Sequence, residues 1–579
     1  MLKLFRYLKD YKKESIIGPL FKLIEACFEL AVPLVMANII DKGIKNNDSQ
    51  YIFKMGGIMV LLGVLGLSCS LTAQYFAAKA SLGFATQLRR DLFCHINRLS
   101  HKEIDSIGSS TLVTRMTADT NAAQSGVNIL LRLLLRSPFI VIGSVIMAFT
   151  ISVKMTLIFL VIAPCLAYVI YRIMSITIPR YKFIQKTLDK TNLMTEEMLS
   201  GARVIRAFSR QEDELEDFRK NTEELTRLQL IAGKINALMN PLTYVIVNIA
   251  IGVLIYSGSR RVYSGDITQG ELIALINYMN QILLALLAMV VLVTNITKMQ
   301  ASALRINDIF DIEPSVTDQG SSEVSPVEGA AAVEFRNVSF SYHDNEGYAL
   351  RDVDLRVEKG ETIGIIGGTG EGKSTLINLI PRFYDCTKGQ VLVDGVDVRS
   401  YPFRQLRHKI GIVPQRAVLF KGTVRDNMLW RNKNAADEEI IRALKLAQAY
   451  EFVMDKPEGL DEMISRQGKN LSGGQRQRLT IARAFVGDPE IVILDDSASA
   501  LDLATDARLR RSIAQLSGEL TVFIVSQRVS SIKNADRIVV LDDGMVVGIG
   551  THAQLYRDCP VYKEICLSQL SEKEVKGIG

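Results

Sequence analysis

Residues 361–380 read ETIGIIGGTGEGKSTLINLI. An apolar, β-branched run gives way to a glycine-rich turn and then to helix formers, so the stretch predicts strand, turn and helix in succession. Across that turn the pattern G-x-x-x-x-G-K-S runs through Gly367, Gly368, Thr369, Gly370, Glu371, Gly372, Lys373 and Ser374, with Thr375 behind it. Each residue type has a physical reason to be there. Glycines let backbone N–H groups close on phosphate oxygens, and a helix N-terminus adds positive potential. Lys373 reaches terminal phosphates, and the Ser374 hydroxyl is placed to ligate Mg²⁺. Glu371 departs from the pattern, because a carboxylate near phosphates weakens nucleotide binding; it is expected to point outward to solvent.

The 579 residues are too many for one ordinary domain. Apolar runs crowd positions 13 to 300, whereas the remainder reads as a soluble α/β protein with scattered charges. A net charge of +6 without an arginine-rich block excludes a nucleic-acid surface. Seven cysteines form no CxxC pair and are odd in number, which excludes a disulfide framework or a zinc site. The opening MLKLFRYLKDYKKES lacks the features of a cleaved signal peptide and reads as an amphipathic elbow on the cytosolic face.

Charge-free stretches of spanning or near-spanning length run from Met55 to Ala78, Ser137 to Val153, Met155 to Tyr171, Ile235 to Ser259 and Leu272 to Thr297. A further candidate, Ser15 to Ile40, is apolar enough to span but carries Lys22, Glu25 and Glu29. With it the chain has six spans and both ends lie on one side. Lysine and arginine concentrate in segments 1–13, 79–136 and 172–234, which hold 25 of them against 6 in the alternate segments. Cytosolic loops retain such charges, so both termini are expected in the cytosol. The long polar segments with helix formers predict spanning helices that continue into the cytosol. The expected organisation is therefore a membrane domain over 1–311, a linker rich in Ser, Pro and Gly over 312–332, and a P-loop domain over 333–579.

The P-loop is followed by NLSGGQRQRLTIARA at 470–484 and IVILDDSASALD at 491–502. With these motifs the chain resembles the ATP-binding cassette transporters, and the resemblance covers its whole length. It implies a six-span helical domain of the exporter fold fused to an α/β nucleotide-binding domain, with ATP and Mg²⁺ as ligands. On matching positions, Tyr342 resembles the aromatic that stacks on adenine. Gln415 resembles the residue that senses the γ-phosphate, and with Ser374 and Asp495 it resembles the Mg²⁺ set. Leu471, Ser472, Gly473, Gly474 and Gln475 form the signature loop that completes the ATP site of a second cassette, and Ser499 and Asp502 resemble the loop that communicates between the two.

Two positions depart from the family pattern. The residue after Asp495 is usually a glutamate acting as general base, and here it is Asp496; one methylene retracts the carboxylate by roughly 1.5 Å, and a misplacement of about 1 Å costs on the order of a hundredfold. The switch histidine is replaced by Gln527, which donates and accepts hydrogen bonds but cannot become a cation. Both changes beside an intact signature imply the degenerate-site subunit of a heterodimeric bacterial multidrug exporter in the cell membrane, paired with a non-identical half-transporter. The rival readings are a homodimeric lipid or peptide exporter, an importer on the exporter fold, an ATP-gated channel, and a soluble cassette ATPase. Charges within spans usually face a cavity. Glu25, Glu29, Tyr244, Asn248 and Asn277 are the candidate cavity residues, with Glu29, lacking a partner nearby in sequence, expected to favour hydrophobic cations. Lys22 is expected to pair with Glu25.

Overall fold

The computed structural model describes residues 3–318, 323–342, 347–497, 501–516, 518 and 520–569. They fall into two compact units, Met1–Asn97 with Ser109–Ile312, and Arg98–Gly108 with Glu313–Gly579.

The first unit is helical. Among the described residues six helices are long and apolar enough to cross a membrane: Leu4–Ile44, Ser49–Ile96, Ser109–Ile151, Val153–Ser200, Gln211–Tyr263 and Gln269–Phe310. The second has 48 residues, about 72 Å of helix at 1.5 Å per residue, against a hydrocarbon layer of about 30 Å. More than half of it therefore lies beyond the hydrocarbon, which is why the charge-free stretches of the sequence are shorter than the helices that carry them. Small residues bring the first two spans together: a side chain at Gly18 would meet the backbone of Ala73 and Ala77, both fully buried, as small residues allow close backbone approach. The first and sixth spans are fastened where Asp41 accepts from the Gly270 N–H at 2.8 Å, and from the Thr268 hydroxyl. Gly270 is required there, because a side chain would overlap the Ala37 carbonyl oxygen.

The N-terminal segment is amphipathic, with Leu4 and Tyr7 buried and Arg6, Lys9 and Asp10 exposed. Leu4–Tyr11 forms a 3₁₀ helix that leads into the first span. Its apolar side is buried within the bundle, with Leu4 at 2% and Tyr7 at 5% exposure and Tyr7 edge-on to Phe84 at 6.3 Å. Leu4 and Tyr7 are thus used in protein packing.

The second unit holds a six-stranded sheet, β1 (Thr362–Ile366), β2 (Ile410–Val413), β3 (Ile491–Asp495), β4 (Thr521–Val525), β5 (Arg537–Asp542) and β6 (Met545–Gly550). Its order is β6-β5-β1-β4-β3-β2, parallel except for the β5–β6 pair. The parallel strands are largely buried, as parallel sheets require, and β3 is IVILD with its first four residues buried; the antiparallel edge strand β6 is mostly exposed. A four-stranded antiparallel sheet, containing Val333–Phe340, packs its apolar face into the same core. The helix His101–Ile107, from the loop between the second and third spans, belongs to this second unit. Asp105 accepts from the Tyr384 hydroxyl at 2.8 Å, and His101 stacks on Phe383 with ring centroids 4.4 Å apart. A second short helix, Ala202–Ala207, follows the fourth span and lies in the first unit.

Candidate nucleotide site and membrane charges

Strand register assembles the site. Val525 of β4 lies opposite Asp495 of β3 and Ile365 of β1, so the chain leaves all three strands at one edge of the sheet. Open α/β sheets bind ligands at the carboxyl ends of their strands. Here those ends deliver the glycine-rich loop, Asp495 with Asp496, and Ser526 with Gln527 to a cleft of about 480 Å³, which Tyr342 and Gln415 also line.

The loop after β1 is shaped by its glycines. Gly372 has φ +85° and N-caps the helix Lys373–Leu379; a side chain would press on the Ala349 carbonyl oxygen. Lys373, 8% exposed, donates to the Gly367 carbonyl at 3.0 Å and to that of Gly368. Burial depresses its pKa, against the opposing pull of Glu371, Asp495 and Asp496. Glu371 does not point into solvent as expected. It is half-buried and its carboxylate accepts from the Asp543 N–H, at the turn between β5 and β6. The outcome is the same in one respect: the carboxylate is turned away from the cleft, whose lining includes Gly370 and Gly372 but not Glu371.

Ser374 Oγ donates to Asp495 Oδ1 at 3.1 Å. This hydroxyl–carboxylate pair, with the Gln415 amide in the same cleft, is a set of hard oxygen donors that suits Mg²⁺, which binds through one or two protein oxygens and otherwise keeps phosphates and waters. Among the described residues no group of three His, Cys, Asp or Glu forms a dedicated metal cage. Burial raises the pKa of Asp495, with the Ser374 hydrogen bond opposing. Burial also raises that of Asp496, opposed by a hydrogen bond from Gln415 and by Arg528 and Lys373. Tyr342 shares a hydrogen bond with Thr375 at 2.9 Å and meets Tyr384 edge-on at 5.4 Å. Gln527 is exposed to the cleft, and its carbonyl accepts from Gln569 at 2.8 Å. No histidine lines this cleft among the described residues.

The signature loop lies elsewhere, for none of Leu471 to Gln475 lines the cleft. Ser472 caps the helix Gly473–Phe485 through a reciprocal pair, its hydroxyl accepting from the Gln475 N–H at 3.2 Å and Gln475 Oε1 accepting from the Ser472 N–H at 2.9 Å. Leu471 packs into the helical core, while Ser472 and Gly473 are exposed. A side chain at Gly473 would meet nothing within 4 Å, so packing within this chain does not explain the glycine there. Asp502 caps the following helix by accepting from the Thr505 N–H at 2.9 Å; Ser499 lies outside the described residues.

Comparison with known proteins agrees with this geometry. The family described as ABC transporter transmembrane region matches residues 15–286, and the family described as ABC transporter matches residues 350–499. The chain is 36% identical over the full length of both chains to an uncharacterized ABC transporter ATP-binding protein of Mycobacterium tuberculosis. The chain belongs to the ABC transporter family. A Bacillus subtilis relative whose name carries the words multidrug export is 31% identical, with 98% of each chain covered. An ATP-dependent lipid A-core flippase of Syntrophus aciditrophicus is 32% identical over 90% of this chain and 85% of its own. This ABC transporter is thus a multi-pass membrane protein with an exporter fold, coupling ATP hydrolysis to transport.

Within the transporter's first unit, Lys22 donates to Glu25 at 2.6 Å and to Ser70 at 3.0 Å, the pairing expected from their spacing. Glu29 differs from expectation. Arg136 of the third span donates to it at 2.8 Å, so its charge is already met by a residue far away in sequence. Gln281 of the sixth span donates to the Glu29 carbonyl at 3.1 Å. Tyr244, Asn248 and Asn277 are exposed, and none of them hydrogen-bonds to Glu25 or Glu29; Asn277 donates to its own helix at Ile273. Sequence reasoning missed Arg136, which stands at the edge of a charge-free stretch and therefore reads as a loop residue.

Proposed function

We propose that this chain is one subunit of a heterodimeric exporter that moves hydrophobic small molecules out of the cytosol across the cell membrane, with both termini cytosolic. The proposed organisation is a membrane domain over 1–311, a linker over 312–332 and an ATP-binding cassette over 333–579. Its own nucleotide cleft binds ATP through the loop 367–375 and Tyr342, with Ser374, Asp495 and Gln415 holding Mg²⁺, which neutralises phosphate charge when bound. Turnover there is slow, because Asp496 is too short to align a water on the γ-phosphate and Gln527 cannot supply a cation. The exposed Ser472 loop completes a competent site whose P-loop, glutamate and histidine belong to the partner, with Ser499 and Asp502 on the path between them.

The observation that carries this reading is that Asp496 and Gln527 share one cleft while a fully capped, exposed signature loop stands outside it. A helix N-terminus that presents N–H groups and an open glycine suits a phosphate brought by another molecule. The name of one relative, a lipid A-core flippase, keeps a lipid-exporting homodimer as the second reading. The test compares two variants in membranes of the producing cells. Ser472→Arg puts a bulky cation at the partner's site and removes most transport-linked ATPase activity, whereas Asp496→Ala costs little. Equal damage from both supports the homodimer.

A further inference from the structure

The third span carries a second arginine four residues before the first. Arg132 stands in the last turn of the segment Thr120–Leu133, and Arg136 opens the next, Arg136–Ile151, across a two-residue turn. Both are half-buried, and the Nε atom of each is buried without a hydrogen-bond partner. Glu25 and Glu29 are the carboxylates of the spanning stretches. Lys22 takes Glu25 and Arg136 takes Glu29, so Arg132 has no acidic partner among the described residues. Depth makes the imbalance matter. Along the first span Glu14 pairs with Lys79 and Asp41 accepts from Gly270 at the other end. Glu29 stands about 22 Å from the first and about 18 Å from the second at 1.5 Å per residue, which is mid-span.

From this we infer that the transporter's cargo site carries a net positive charge and takes amphipathic organic anions, an apolar body with a sulfonate, carboxylate or phosphate group. The inference rests on the proposed export function and names the cargo class of that path. An uncompensated guanidinium in a span faces a cavity or the bundle interior, since hydrocarbon does not tolerate it. Guanidinium groups recognise planar or tetrahedral oxyanions through paired N–H donors. Glu29 then acts as an internal competitor, holding Arg136 until an anionic headgroup arrives, and Gln281 and Ser144, 3.5 Å apart, are neutral neighbours on the same side. The preference for cations expected from Glu29 alone is reversed because the fold supplies two arginines against one carboxylate.

The test uses everted membrane vesicles from cells making the full chain with its partner, and a matched pair of dyes on one skeleton, a rhodamine-class cation and a sulforhodamine-class anion. The readout is the ratio of ATP-dependent anion to cation accumulation, normalised to the amount of the chain in the membrane. The wild type is expected to favour the anion, Arg132→Gln to lower the ratio about tenfold, Arg132→Lys to retain most of it, and Glu29→Gln to raise it. Fluorescent phosphatidylglycerol added to the vesicles identifies the source of the headgroup: competition with the anionic dye marks a membrane lipid, and no competition a soluble anion. Accumulation of the cation alone, or a ratio that Arg132→Gln and Glu29→Gln leave unmoved, overturns the inference while export stands. Failure of both dyes and the lipid to move with ATP overturns the export reading and the inference with it.

Discussion

The backbone N–H of Asp496 donates to the carbonyl of Val525 at 2.9 Å. That bond joins the end of β3 to the end of β4, two residues before Gln527, and it holds Asp496 at φ +43°, a left-handed conformation that Asp adopts more readily than most side chains. The starting point of the carboxylate is therefore fixed by the sheet. A shorter side chain there cannot be offset by a backbone shift without breaking the ladder.

Restoring reach should restore chemistry. Asp496→Glu combined with Gln527→His is expected to raise single-turnover ATP hydrolysis at this chain's own P-loop by on the order of a hundredfold, the cost of about 1 Å of misplacement. Asp496→Glu alone should recover part of it. An unchanged rate in the double variant would show that something other than these two side chains limits the site.

Ser374→Ala removes the hydroxyl 3.1 Å from Asp495 while leaving the glycine-rich backbone in place. Nucleotide affinity in the presence of Mg²⁺ should fall about tenfold or more, the loss expected when a charged group's hydrogen-bond partner is removed, and affinity measured in chelator should change far less. Titration with a fluorescent ATP analogue under both conditions separates the two. Equal losses would place Ser374 in the phosphate cradle alone.

The contact of His101 with Phe383 is pH-dependent by the same physics that buries it. Burial and Arg407 hold the His101 pKa below the usual histidine value, with Asp105 opposing. The folded protein thus binds fewer protons here than the unfolded chain, so this contribution is complete above about pH 6.5, the unperturbed value, and declines as pH falls toward the folded pKa. The melting midpoint should drop between pH 7.5 and 5.5, and His101→Phe, which keeps the stacking and removes the titration, should reduce that drop. An identical pH profile in the variant would assign the effect to other groups.

Much of this was legible in the sequence because local chemistry sets it. The phosphate loop, Asp495, Gln415 and the capped signature are short patterns whose function depends on backbone conformation and neighbouring residues, and the structure places the first three in one cleft. What sequence hid depends on long-range packing. Tyr7 of the N-terminal 3₁₀ helix packs on Phe84, Glu371 finds the Asp543 N–H on a turn far along the chain, and Arg136 meets Glu29 because neighbouring helices are staggered. Hydropathy reads where charges begin in each helix and carries no information on how one helix is offset against the next.

The measurement that bears most directly on the degenerate-site account is steady-state ATP hydrolysis by the purified full-length chain, alone and after co-expression with its partner. Alone, the chain should turn over well below the median enzyme rate of roughly 10 s⁻¹, and co-expression should restore turnover that Ser472→Arg then removes. Hydrolysis by the isolated chain at that ordinary rate, lost on Asp496→Ala, would contradict the account.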